Sequence, residues 1–229
     1  MAVEARTRRE TGVLWALGGL LGGVVLLLAL HVLPPTADIS PVRRTISEYA
    51  LSGSKWLFDT ALVLIATASA LAFTLLWRRR AHVPTAVLGA IWTLSLLTIV
   101  LFTKNNWSVG PSTGGTIHRY ASVAAFLALP LATFPAARHV FPDHRVWRWS
   151  TQAFATLSLL SFGTIVVGAL NMLAGGPPWW RFVPLGLVER LIALSAVAAL
   201  LLLMLGLLRQ TGGPPSAVRS WDRPGTGSG

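Results

Sequence analysis

The chain has 229 residues, of which 53% are hydrophobic and only 12% charged, with a net charge of +11 and no cysteine. The charged share is far below the globular norm of about 25%, and the apolar residues fall in long blocks, which argues against a soluble fold. The missing cysteines exclude a disulfide framework and thiolate metal sites, and the bases gather at the ends of apolar runs rather than in a nucleic-acid patch.

Six runs, at 13–33, 57–77, 84–102, 117–137, 150–173 and 185–208, reach the roughly 20 residues that a helix needs to cross a bilayer. The first follows TRRETG, a basic start like that of a signal peptide. Its apolar part is too long for one and no small-x-small site follows, so it is expected to be a retained helix. Gly18, Gly19, Gly22 and Gly23 within it form small-xxx-small pairs that permit close approach to a neighbour.

Between the first two runs lies Pro41–Trp56, PVRRTISEYALSGSKW, the main polar stretch between helices. Thr45 and Glu48 match a capping box, in which Thr45 caps a helix start and Glu48 reaches back to its N–H. Alternatively, Glu48 and Tyr49 project over the mouth of the bundle as an acid and a donor. Asp59 lies in the first turn of the second helix, where it complements the positive helix end.

The second run stops at Arg78, Arg79 and Arg80, and Pro84 opens the third. The fourth begins at GGTIHRY. His118 shares a helical face with Ala121, Ser122 and Ala125 and is expected to look into the bundle, whereas Arg119 is expected to snorkel to the interface. Pro130 and Pro135 predict a kink or an early end. The fifth run ends at Asn171, followed by GGPPWW, whose Trp179 and Trp180 read as interface anchors. The sixth opens with GLVERL. Glu189 is expected to pair with Arg43, Arg44 or Arg119, and Arg190 with Glu48 or Asp59, because ionisable groups in a membrane helix need partners. The division is a basic segment 1–12, a six-helix domain 13–208 and a polar tail 209–229, expected to be disordered.

Twelve of the 19 Lys and Arg fall with the N-terminus, the 78–83 and 138–149 loops and the tail, and seven on the other side. Both termini are therefore expected to be cytoplasmic, and Pro41–Trp56 outside. On that outer side the candidate acid/base groups are Glu48, Asp59, His118 and Glu189. The candidate binding groups are Tyr49, Arg43, Arg44, Arg119, Arg190 and Asn171. His31 and His118 are the only histidines there, and no spacing supports a metal or haem site, so neither metal nor cofactor is expected.

ISEYALS at Ile46–Ser52, Trp56–Leu57, GTIHRYASVAAFLALPLA at Gly115–Ala132 and GLVERL at Gly186–Leu191 resemble the bacterial six-helix membrane proteins catalogued as domain of unknown function 998. The resemblance spans about residues 13–208. It implies a six-helix integral membrane protein and brings no catalytic assignment.

The expectation is an all-α polytopic membrane protein of the bacterial inner (cell) membrane. Its outer polar cluster would hold a lipid, a small hydrophobic ligand or a partner chain, with membrane lipids as surroundings and no nucleic acid. The alternatives are a membrane-embedded enzyme acting on a lipid or isoprenoid by acid/base chemistry, and a transporter subunit. Oligomeric state is not readable from the sequence.

Overall fold

The computed structural model describes residues 2–212. Among them are six long α-helices and no strand: α1 Ala2–Ala29, α2 Lys55–Arg78, α3 Val83–Leu101, α4 Thr113–Val140, α5 Arg145–Leu173 and α6 Leu185–Gly212. Each expected span falls on one helix, and all six are long and apolar enough to cross a membrane. The tail from residue 213 onward lies outside the described residues.

Several boundaries differ from expectation: α1 already begins at Ala2, within the segment 1–12, and α6 runs on to Gly212, past residue 208. Helix α1 stops at Ala29, short of residue 33. Pro34 and Pro35 follow; proline lacks an N–H and pushes the preceding residue out of helical geometry. Thr36 then donates its hydroxyl to the carbonyls of Leu30 and Leu33, at 2.6 and 2.9 Å. Helix α4 does not end early: it continues through Pro130 and Pro135 to Val140. Pro130 is buried among neighbouring helices, which hold such a helix together where an isolated one would break. Its start is capped by Ser112, whose hydroxyl oxygen accepts from the Gly115 N–H at 3.0 Å.

Helices α1 to α4 pack in chain order, α6 closes the ring between α4 and α1, and α5 lies outside against α4 and α6. Two of the five glycines in α1 explain its fit on α2. A Cβ at Gly19 would meet Ala68 Cβ at 2.8 Å, and one at Gly23 would meet Ile65 at 2.4 Å and the Ala61 carbonyl at 2.8 Å. Gly18 and Gly22 face open space. Between α2 and α3 the buried Trp92 indole donates to Ser69 Oγ at 2.9 Å.

The outside of the bundle is apolar all round. On α5, Leu160, Val167, Leu170 and Leu173 are all more than half exposed, a surface that suits hydrocarbon and not water. Exposed Trp56, Trp107 and Trp180 mark one end of the ring and Trp77 and Trp149 the other, as in the aromatic belts of a bilayer protein.

The two ends differ. At one, Arg79 donates to the Gln210 side-chain oxygen at 2.9 Å, and Arg209 stacks over Trp147 at 4.2 Å. At the other, the connection from α1 to α2 folds back over the ring and forms a lid.

Candidate functional site

The lid centres on a short 3-10 turn, Ile46–Leu51. The expected capping box does not form. Thr45 makes no side-chain cap, and Glu48 turns away to Lys104. The Ile46 N–H, open at the start of the turn, donates to Glu189 Oε2 on α6 at 2.6 Å. Helix α6 receives the same service in return: the Leu187 N–H donates to the Val42 carbonyl in the lid at 3.1 Å. Lid and α6 thus each satisfy a backbone donor that the other leaves open at its start. Gly186 allows this closeness, since a Cβ there would lie 2.3 Å from the Arg44 carbonyl oxygen and 2.6 Å from that of Pro41.

Arg190 is the buried centre of the arrangement, only 9% exposed. Among the described residues it pairs with no acid, contrary to the expected contact with Glu48 or Asp59. Its Nε–H donates to His31 Nε2 at 2.7 Å, and Nη1 donates to the carbonyls of Arg44 and Gly186 at 2.8 and 2.9 Å. Nη2 donates to the Tyr49 hydroxyl at 2.9 Å. His31 must accept at Nε2, so its Nδ1–H donates to the Leu27 carbonyl at 2.9 Å. Tyr49 is fully buried, edge-on to His31, and joins lid, α1 and α6. A guanidinium can be held this way because its planar fork serves several acceptors at once.

The remaining acids are held elsewhere. Glu48 bonds Lys104 at 2.5 Å and lies 3.6 Å from Arg44, and Lys104 also donates to Thr45 Oγ1 at 2.9 Å. Asp59 pairs with Lys55 on its own helix, leaving its Oδ1 buried and without a hydrogen bond. Glu189 has none of its expected partners: among the described residues no basic side chain lies within ion-pair distance of it.

Beneath the lid is a cavity of about 140 Å³. Its body is apolar, formed by Phe58, Leu62, Ile65, Trp92, Leu96 and Val197. At its lid end it is lined by the side chains of His31, Ser47, His118, Glu189 and Arg190. His118 points inward, as its helical face predicts, and is 4% exposed. Its Nδ1–H donates to the Phe102 carbonyl at 2.7 Å, which leaves Nε2 with no partner. An engineered apolar cavity of about 150 Å³ admits benzene, so this volume suits a small organic group.

The candidate residues therefore divide. Glu189, His118 and Arg190 line the cavity, with Tyr49 supporting Arg190 from behind. Glu48, Asp59, Arg43 and Arg44 do not line it. Arg43 is exposed, and Arg44 contributes its carbonyl while its side chain stays 65% exposed. Arg119 snorkels outward over Trp107, 5.6 Å from the ring centroid. Asn171 is exposed on α5, an element that contributes nothing to the cavity. Trp92, Ser47 and His31 are cavity residues that the candidate set omits. Trp92 is one tryptophan among ten, with no spacing to single it out. His31 is the one that carried a signal, as a histidine at the end of an apolar run.

The fold and site define a six-helix polytopic membrane protein with a lidded cavity at one end. The chain belongs to the family described as "Protein of unknown function (DUF998)", whose model matches residues 16–206. No curated protein and no solved structure matches it.

Proposed function

We propose that this is a cell-membrane binding protein. In this proposal it takes a small molecule with an apolar body and one polar end into the cavity beneath the lid. The observation that carries this is one cavity whose apolar walls meet the side chains of Glu189, His118 and Arg190 at the lid end. Apolar walls supply affinity, and a few placed polar groups supply orientation. The ligand arrives from the bilayer. Leu28 on α1 and Leu194 on α6 both line the cavity and are about half exposed on the outside of the ring, which favours a lateral mouth between these helices. Both termini are cytoplasmic and the lid faces outward, on the strength of the excess of Lys and Arg at the opposite end.

The test uses bromobenzene, a quencher of tryptophan fluorescence, with the full chain in bilayer nanodiscs. A quenched component should vanish both in Trp92→Phe and in Ala125→Phe, the second of which fills the cavity. Equal quenching in all three chains would show that nothing enters.

A second function, catalysis on a lipid or isoprenoid, is favoured by one observation. Glu189 lines the same cavity as His118, and among the described residues neither Glu189 has a basic partner nor His118 Nε2 a hydrogen bond, the pairing that acid/base chemistry needs. Turnover of membrane-lipid extracts that Glu189→Gln abolishes would establish it over simple binding. Transport is not adopted. Below the cavity the ring is filled by Leu20, Leu129, Leu200, Leu203 and Met204, each fully buried and apolar, across the way to the other end.

A further inference from the structure

Resting on the binding function proposed above, we infer that the cavity selects a neutral hydroxyl compound, an apolar alcohol whose O–H donates to Glu189 with His118 as a second acceptor. The hydrogen-bonding capacity at the polar end sets the direction. Arg190 has spent four of its five N–H groups on His31, Tyr49 and the carbonyls of Arg44 and Gly186. The Ser122 hydroxyl donates to the His118 carbonyl at 2.9 Å, and Ser47 Oγ is engaged with Thr45 Oγ1 at 3.1 Å. The lining donors are thus largely committed to protein.

The acceptors are not. Glu189 uses Oε2 for the Ile46 N–H, and Oε1 receives no hydrogen bond from the described residues. The Phe102 carbonyl can only accept, so it fixes the His118 proton on Nδ1 and leaves Nε2 of the neutral ring as a lone pair. A ligand that donates satisfies such groups, and one that only accepts leaves them bare, which costs the desolvation of each.

Charge separates an alcohol from an ammonium ion. The Glu189 carboxylate shares the cavity with the Arg190 guanidinium, and Glu48 beside the lid is already matched by Lys104 and Arg44. The two charges balance across the cavity without touching, so a second cation would leave its lid end with a net positive charge. A neutral O–H meets the acceptors without that repulsion.

The test uses three probes of similar size and the full chain in nanodiscs, read by fluorine NMR. They are para-fluorobenzyl alcohol, the acceptor-only para-fluorobenzonitrile and the cationic para-fluorobenzylamine, each referred to its concentration in the bilayer. The alcohol should bind roughly tenfold tighter than either of the others, the effect of about one hydrogen bond. Its advantage over the nitrile should fall in Glu189→Ala and in His118→Phe. The comparison on the unaltered chain stands even if a variant misfolds. Equal binding of alcohol and nitrile overturns the donor rule but leaves the binding function standing. Preference for the amine overturns neutrality. Entry of none of the three overturns this inference and the binding function together.

Discussion

Replacing Gly186 by alanine is the most direct way to lift the lid. The added methyl would sit 2.3 Å from the Arg44 carbonyl oxygen and 2.6 Å from that of Pro41, both backbone atoms. Ordinary contact begins at 3.4 Å, so the lid must retreat by about 1 Å. That shift stretches the Ile46–Glu189 bond from 2.6 Å and the Arg190–Arg44 bond from 2.8 Å beyond useful length. A hydrogen bond to a charged group contributes about 1.5–3 kcal/mol, so loosening two costs about 3 kcal/mol. Exchanging glycine for alanine within a helix returns up to about 1 kcal/mol. The net loss of about 2 kcal/mol corresponds to roughly 30-fold faster opening of the lid. Hydrogen exchange at the Ile46 amide in nanodiscs measures it directly. Gly18→Ala is the control: it adds a methyl where nothing lies within 4 Å and should leave that amide unchanged. If Gly186→Ala also leaves Ile46 exchange unchanged, the lid is not seated on α6 and the reasoning fails.

Tyr49→Phe should destabilise the chain by about 1.5–3 kcal/mol, because it removes one acceptor from a buried guanidinium; Arg190→Lys should cost more, since an ammonium cannot serve the same fork. Thermal unfolding in one detergent ranks the two, and an unaffected Arg190→Lys would refute the caging of that charge. A double-mutant cycle on Glu48 and Lys104, whose side chains are 22% and 15% exposed, should give a coupling of about 1–2 kcal/mol, and zero coupling would reduce the contact to a surface pair. Gly53→Cys places a thiol in open space beside the lid and should react with impermeant maleimide added outside intact cells; labelling only after lysis would invert the orientation.

The spans were legible because a bilayer imposes one length on every helix that crosses it, and no soluble element competes for that pattern. The inward turn of His118 followed from its small-residue face for the same reason. The capping box was misleading in a specific way. Thr45 and Glu48 hold the right spacing, but Lys104 stands close enough to take Glu48, and the turn is tied instead by Glu189, which reaches the Ile46 N–H from 143 residues along the chain. Spacing records what a local group can reach and says nothing of a distant group that reaches first. Arg190 failed similarly. Expectation matched it with carboxylates by charge, whereas the fold surrounds it with neutral oxygens and one imidazole, partners from three different segments. The cavity wall was hidden because Trp92, Leu96 and Val197 differ in no visible way from the lipid-facing residues around them.

The reciprocal clasp between lid and α6 has a consequence for how the protein is made. The lid precedes α2, so it leaves the ribosome long before the helix that secures it. Until α6 is inserted, Ile46 lacks its carboxylate acceptor, Tyr49 lacks its cation, and the ring stands open between α1 and α4. The cavity therefore comes into being only when α6 is inserted, and a chain broken off after α5 never possesses the site.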